Sequence, residues 1–359
     1  MKKLILLLVV FISTVSYAQI KWYNPVETGA EVHGQGWAEL RHSYVRLPSR
    51  AEGKAPKAVW NLSKHSAGLS LVFRSNAKEI IVRYQVTGGY NMFHMPSTGV
   101  SGVDMYATDA DGRERWCAPH FPVSFADTIK YHYDNITYFT NPQQGYEYHL
   151  YLPLYNGVKW MEIGVPTDAR LEFLPVGPEK PIVVYGTSIA HGACASRPGL
   201  AWTNIVERRT SRPMVNLGFS GSGKLEPEMF DLLSEINASL YVIDCMANMD
   251  SLSDLIVERI VNGVHRLRQS SSTPILLVEH AGYTGEFTNQ QRSSYKKVNE
   301  QLRKAYGQLQ AEGVANLHYM TTDEIGLDQE SQVESVHPND HGMRLHADAH
   351  VRQIVKILH

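Results

Sequence analysis

A serine placed directly after an apolar run is a position where nucleophilic chemistry can be built. In VVYGTSIAHGACASRPG, residues 183–199, Ser188 follows the run 183–185 and Gly186. Glycine permits a sharp turn that a side chain would obstruct, so Ser188 is expected at the start of the next helix. Free backbone N–H groups and the helix dipole favour negative charge there. A hydroxyl at such a place is a nucleophile if a base is in reach, or an ordinary helix cap. A base is on offer near the C-terminus, in VESVHPNDHG, residues 333–342. His337 precedes Pro338, which biases it towards an extended loop, and imidazole is the usual general base for serine. The chain holds 16 histidines, so a loop histidine gains meaning only from its partners. In DCMAN, residues 244–248, the Asn248 amide could donate to a developing oxyanion or simply shape a turn.

Two familiar alternatives fit these stretches less well. A nucleophile elbow needs G-x-S-x-G, and the turn reads Gly186-Thr187-Ser188-Ile189-Ala190. In NLGFSGSGKLEP, residues 216–227, Gly218, Gly223 and Lys224 open a phosphate-loop pattern. Leu225, however, stands where a magnesium-binding hydroxyl is required. No nucleotide, cofactor or metal is expected. His346 and His350, spaced i, i+4, lack the glutamate of a zinc-protease motif and read as a surface coincidence.

These residues need elements that bring them together, and the chain shows two textures. From about 19 to 176, period-two stretches separated by turns predominate, among them LSLVFRSN (69–76), EIIVRYQVTGG (79–89) and EYHLYLPLYNG (147–157). Such alternation points to a β-sandwich. From Pro181 onward, short apolar strands (181–186, 213–218, 239–245, 273–279 and 316–320) alternate with helix-like segments. That is the pattern of a parallel sheet covered on both faces. The division falls in LPVGPEKP, residues 174–181, which gives segments 19–176 and 177–359. In a doubly wound sheet ligands bind beyond the carboxyl ends of the strands, and Ser188, the 218–223 turn and Asn248 each follow one.

Residues 1–18 have a basic start at Lys2 and Lys3, a short apolar stretch and a small-residue site at Ala18. They read as a signal peptide, so the protein is expected to be exported to the periplasm, the medium or the cell surface. No later apolar run is long enough to span a membrane. A formal net charge of −2 argues against nucleic acid as the main partner, since such binding rests on a Lys/Arg excess. Cys117, Cys194 and Cys245 are expected as buried small side chains, with at most one bridge.

Taken together, GTSI, NLGFSGSG, CMAN and ESVHP, in that order, resemble the four blocks of the SGNH (GDSL-like) hydrolases. HMPSTGVSGVDMYA, residues 94–107, is similar through Gly102-Val103-Asp104-Met105-Tyr106 to the GxDLY segment of the β-rich domain preceding some bacterial SGNH esterases. The resemblance implies a flavodoxin-like doubly wound parallel sheet behind a jelly-roll-like β-sandwich. It implies Ser188 as nucleophile and His337 as base, with the backbone N–H groups of Ser188 and Gly221 and the Asn248 amide as the oxyanion hole. Glu334 stands where the family's orienting Asp lies, one methylene longer; Thr187 replaces another Asp that is not the nucleophile.

The expected activity is a serine esterase removing O-acyl, chiefly O-acetyl, groups from carbohydrate. Asn91, His94 and His280 are candidate substrate contacts. Five of the six tryptophans (Trp22, Trp37, Trp60, Trp116 and Trp160) lie in the first half, where aromatic faces suit either sugar rings or core packing. A carbohydrate-binding protein with a degenerate hydrolase half, and a lipid or thioester acylhydrolase, are the alternatives.

Overall fold

A computed structural model describes residues 19–359, apart from 110, 137–142 and 144; the signal peptide expected over 1–18 lies outside the described residues. Nine strands build the first half: β1 (Ile20–Tyr23), β2 (Ser70–Ser75), β3 (Ile80–Val86), β4 (Asp104–Thr108), β5 (Glu114–Cys117), β6 (Ile129–Tyr133), β7 (Tyr146–Tyr151), β8 (Val158–Pro166) and β9 (Leu171–Phe173). They form two antiparallel sheets, ordered β1-β8-β3-β6 and β5-β4-β7-β2-β9. Their inward residues alternate as the period of two requires. Leu71 and Phe73 of β2 pair with Leu150 and Tyr148 of β7 and are fully buried, as are Ile80, Val82 and Tyr84 of β3. The two sets share one apolar core between the sheets.

The second half holds β10 (Ile182–Gly186), β11 (Met214–Gly218), β12 (Leu240–Asp244), β13 (Ile275–Val278) and β14 (Leu317–Met320). All pairings are parallel, in the order β11-β10-β12-β13-β14. This is the 2-1-3-4-5 order of flavodoxin-like sheets. Val183 and Tyr185 of β10 face one core, while Ile182 and Val184 face the other. Burial on both sides is why these strands read as unbroken apolar runs. Among the described residues no helix is long and apolar enough to cross a membrane.

The halves are interlocked. Most of residues 37–62, counted with the sandwich by the sequence pattern, packs on the parallel sheet: Trp37, Leu40, Leu47 and Val59 belong to its core, while Tyr44 joins the sandwich core. Trp37 Nε1 also donates to Glu235 at 2.7 Å. Arg46, 1% exposed, donates to the carbonyls of Gly218 (2.7 Å), Asn216 (3.2 Å), Leu62 (2.7 Å) and His65 (2.9 Å). Burial pushes its guanidinium down to about 9. Asp104, from the GVDMY segment, accepts from Trp116 Nε1 (2.8 Å), Arg197 Nη1 (2.5 Å) and the Gly199 amide (2.9 Å). A Cβ on Gly199 would stand 2.6 Å from that carboxylate, so glycine is needed for the approach.

Candidate active site

The turn after β10 carries Ser188. A Cβ on Gly186 would meet Ala190 Cβ at 2.7 Å and the Asp244 carbonyl at 2.9 Å, which leaves room for glycine alone. Thr187 caps the following helix, its Oγ1 accepting from the Ile189 amide at 3.4 Å. That helix, Ser188–His191, is a single turn ended by Gly192 in the left-handed region. The expected helix dipole is therefore small, and the local benefit comes from the free amides of the turn itself.

Ser188 Oγ lies 2.8 Å from His337 Nε2. His337 Nδ1 is hydrogen-bonded to Glu334 Oε1. The second carboxylate oxygen of Glu334 accepts from the Val336 amide (2.8 Å) and the His337 amide (3.2 Å). Because the carboxylate only accepts, Nδ1 bears the proton and Nε2 presents its lone pair to the serine. Partial burial alone would push the Glu334 carboxyl up. The bond to His337, the imidazole charge and the two backbone donors outweigh it and hold the group at about 2. The longer glutamate reaches because Ser335 takes a positive φ of 65°, which folds the loop back on itself. Gln332 fastens this loop to its neighbour by donating to the Val336 carbonyl (3.2 Å) and accepting from the Thr284 amide (2.8 Å).

The expected oxyanion donors lie on adjoining turns. Ser188 N–H opens its helix, where no intrahelical acceptor exists. Gly221 has φ 65°, and nothing lies within 4 Å of a Cβ built on it. The Asn248 side chain donates to the Ser222 carbonyl, which ties the third turn to the second and leaves one of its two N–H groups for an incoming oxygen. Gly223 packs so closely that a Cβ would stand 2.1 Å from the Gly186 carbonyl. The glycines of the GxxxxGK stretch thus serve packing against the nucleophile turn. On the sandwich side, the loop 91–95 leans over His337, with the His94 and His337 ring centroids 5.3 Å apart.

Two family models match the chain: the GDSL-like lipase/acylhydrolase family over residues 179–355, and the N-terminal domain of SGNH-hydrolase-type esterases over 20–171. A Bacteroides ovatus protein assigned as a GDSL-like lipase has a solved structure similar to this one. The two share 31% identity over 95% of this chain and 98% of that one, at a TM-score of 0.85. The chain belongs to the GDSL-like lipase/acylhydrolase family, the SGNH hydrolases. A salicylyl-acyltransferase from a tetracycline biosynthetic pathway is similar at 20% identity, covering 94% of this chain and 97% of that one, with a TM-score of 0.73. A family two carbohydrate esterase from Clostridium thermocellum, solved with cellohexaose, is similar at 13% identity, covering 81% and 92%, with a TM-score of 0.52. These last two likenesses are of fold. No curated protein sequence matches. As a member of its family the protein is an ester hydrolase of SGNH type.

Several residues of this SGNH hydrolase lie elsewhere than the sequence suggests. His280 is 2% exposed, and burial pushes its imidazole down to about 3. Its amide donates to Asn299 of the overlying helix Tyr295–Ala311; it is a core residue and not an open substrate contact. His346 and His350 are likewise buried, stacked on Trp202, not a surface pair. The three cysteines are free. Trp37 is core, and Trp116 donates to Asp104 under the Arg197 guanidinium; neither offers an unengaged sugar platform. Asn91 is exposed and His94 half-buried, both on the rim loop. Sequence reasoning passed over Phe93, between them, which is 94% exposed and stacks on His94 with centroids 4.1 Å apart. An aromatic standing between the two candidate contacts Asn91 and His94, in NMFHM, is the available signal.

Proposed function

We propose that this SGNH hydrolase is an exported serine esterase that removes O-acyl groups, chiefly O-acetyl, from carbohydrate through an acyl-serine intermediate. The observation that carries the proposal is the 2.8 Å contact between Ser188 Oγ and the Nε2 of an imidazole whose other nitrogen is held by a carboxylate. In this reading Ser188 attacks the ester carbonyl as His337 Nε2 takes its proton. Glu334 orients the ring and offsets the imidazolium charge that forms. The charge developing on the carbonyl oxygen is met by the Ser188 and Gly221 amides and the Asn248 amide, donors that act most strongly in the transition state. His337 then returns the proton to the leaving alcohol and activates water against the acyl-serine.

The substrate class rests on the surroundings. The Phe93 ring, exposed beside His94 on a loop over the site, is an apolar platform of the kind sugar rings stack on. His94 stands over the His337 base, with ring centroids 5.3 Å apart, which favours a small acyl group. The carbohydrate esterase neighbour shares the fold, and the signal peptide read from the sequence of residues 1–18 fits a substrate outside the cytoplasm. An acyl-release screen against acetylated plant and host glycans, with Ser188→Ala as control, tests the reading. Acetate release by wild type alone supports it. Preference for long-chain esters would turn the assignment to a lipase, and glycan binding without turnover to a binding protein. Peptide mass analysis of the secreted chain is expected to find Gln19 as the first residue.

A further inference from the structure

Next to the Ser188–His337 pair lies a thiol that ester hydrolysis leaves unused. Cys194 is 4% exposed, on the segment just after the nucleophile helix. Its amide donates to the Pro338 carbonyl at 2.8 Å, so its position is tied to the loop that carries His337. One ligand atom from each of His94, Cys194 and His337 lies within 4.8 Å of the other two. The buried Nδ1 of His94 has no hydrogen-bond partner among the described residues. Burial and the charge of Glu334 push the Cys194 thiol up to about 12, so in the metal-free protein it is a neutral thiol and not a rival nucleophile.

We propose that His94, Cys194 and His337 form an inhibitory site for a borderline-soft divalent cation, Zn²⁺ above all, that switches the esterase off by occupying the lone pair of His337. The inference rests on the reading of His337 as the base of Ser188. Two imidazoles and a thiolate are a donor set that zinc takes in three-ligand tetrahedral sites, with a fourth position left for water or an oxygen such as Ser188 Oγ. Hard cations such as Mg²⁺ prefer oxygen ligands and are excluded by the same donors. Glu334 on His337 Nδ1 supplies the carboxylate that characteristically stands behind a zinc-bound histidine, fixing the tautomer and aiming Nε2 outward.

The arrangement that makes His337 a good base therefore also makes it a good ligand. Donors on a tetrahedral zinc stand about 3.3–3.8 Å apart, so from separations of up to 4.8 Å the cluster contracts by up to about 1.5 Å on binding. The backbone there is held by the paired Met92 and Met95 amides and carbonyls, so rotation of the half-buried His94 side chain, beside the exposed Phe93, supplies that movement. On binding, the S–H bond of Cys194 breaks, its proton leaves to solvent, and a Zn–S bond forms with no change of oxidation state. Ser188 then lacks an acceptor for its proton.

The test uses the purified full chain, stripped with EDTA and titrated with zinc chloride. Hydrolysis of p-nitrophenyl acetate and zinc bound in equilibrium dialysis are read separately. Cobalt chloride provides a spectroscopic signature, the thiolate-to-metal charge-transfer band of Cys194. Zinc is expected to inhibit reversibly, with activity returning on EDTA and no inhibition by magnesium. Cys194→Ala is expected to keep its hydrolytic rate, lose the cobalt band and need at least about tenfold more zinc for half-inhibition, the loss typical when a metal site's support is removed; Cys194→Ser gives an isosteric check on folding. His120, His132 and Asp134, a second group of donors on the sandwich, are removed from the count with His132→Ala. Ser188→Ala, which cannot hydrolyse, is expected to bind the Cys194-dependent zinc all the same. If wild type shows no hydrolysis but keeps a Cys194-dependent cobalt band, the esterase reading fails and the metal site stands. Unchanged zinc sensitivity in Cys194→Ala, with no thiolate band in wild type, overturns the metal site.

Discussion

The parallel-sheet half and the sandwich half use polar side chains for opposite ends. On the first, Ser188, His337 and Glu334 sit on turns and a loop beyond strand ends, with 20% and 29% of the His337 and Glu334 side chains open to solvent, and in the proposed mechanism their bonds are the ones that a substrate rearranges. On the second, Arg46 and Asp104 are closed away, and each fastens one half to the other, Arg46 through the Asn216 and Gly218 carbonyls and Asp104 through Arg197 and the Gly199 amide. Burial makes such groups costly to leave unpaired, so they suit a permanent joint and not a reaction. The sandwich half reaches the chemistry through its rim loop, where His94 and Phe93 overlook His337, and through Tyr155, whose hydroxyl donates to the Ser188 carbonyl at 3.3 Å. Reactivity in this molecule is thus a matter of which polar groups the fold leaves able to change partners.

Substitutions in the two halves should therefore separate loss of rate from loss of stability. Ser188→Ala is expected to lower kcat on p-nitrophenyl acetate by about 10⁴-fold or more, with the same circular dichroism spectrum and unfolding midpoint as wild type. Glu334→Gln is expected to cost about 10²–10⁴-fold in kcat, with partial rescue by Glu334→Asp; rescue marks a positioning role that a mere packing residue would not show. Glu334 also gives a pH signature. Its folded value of about 2 lies below the ordinary 4.5, so its contribution to stability is full above that ordinary value and lost as pH falls towards the folded one. The wild-type advantage over Glu334→Gln in denaturant unfolding should accordingly shrink between about pH 4.5 and 2. Asp104→Ala should leave kcat within a few-fold and cost about 3–5 kcal/mol in guanidinium unfolding, because it strands the Arg197 charge. A loss of rate without a loss of stability would break the division between the halves. Phe93→Ala, the mildest, should raise KM for an acetylated glycan about two- to tenfold and leave p-nitrophenyl acetate kinetics unchanged.

The five strands of the parallel sheet, the sandwich strands at 69–76, 79–89 and 147–157, the strand-end positions of Ser188, Gly221 and Asn248, and the loop position of His337 could be read from the sequence, because each follows from a local pattern of turns and apolar runs. The reach of Glu334 could not, since it depends on the left-handed backbone at Ser335, a residue type that does not announce it. His280 ends its strand on the side where ligands bind, yet a helix 15 residues further on covers it; local pattern carries no information about what packs on top. The same holds for His346 and His350, whose i, i+4 spacing reads as solvent-facing although their rings stack on Trp202. Residues 37–62 lack either period, so nothing in them shows which core they join. Arg46 and Asp104 gain their meaning only from carbonyls and amides far away in the chain.

The most direct test of the central claim, that the Ser188 oxygen becomes the acyl carrier when His337 takes its proton, is to trap the intermediate. Wild type mixed with p-nitrophenyl acetate and quenched in acid within one turnover should carry one acetyl group on the peptide containing Ser188, and His337→Ala should carry none. An acetyl group found on a different residue, or full turnover with no acylated enzyme at any time, would contradict it.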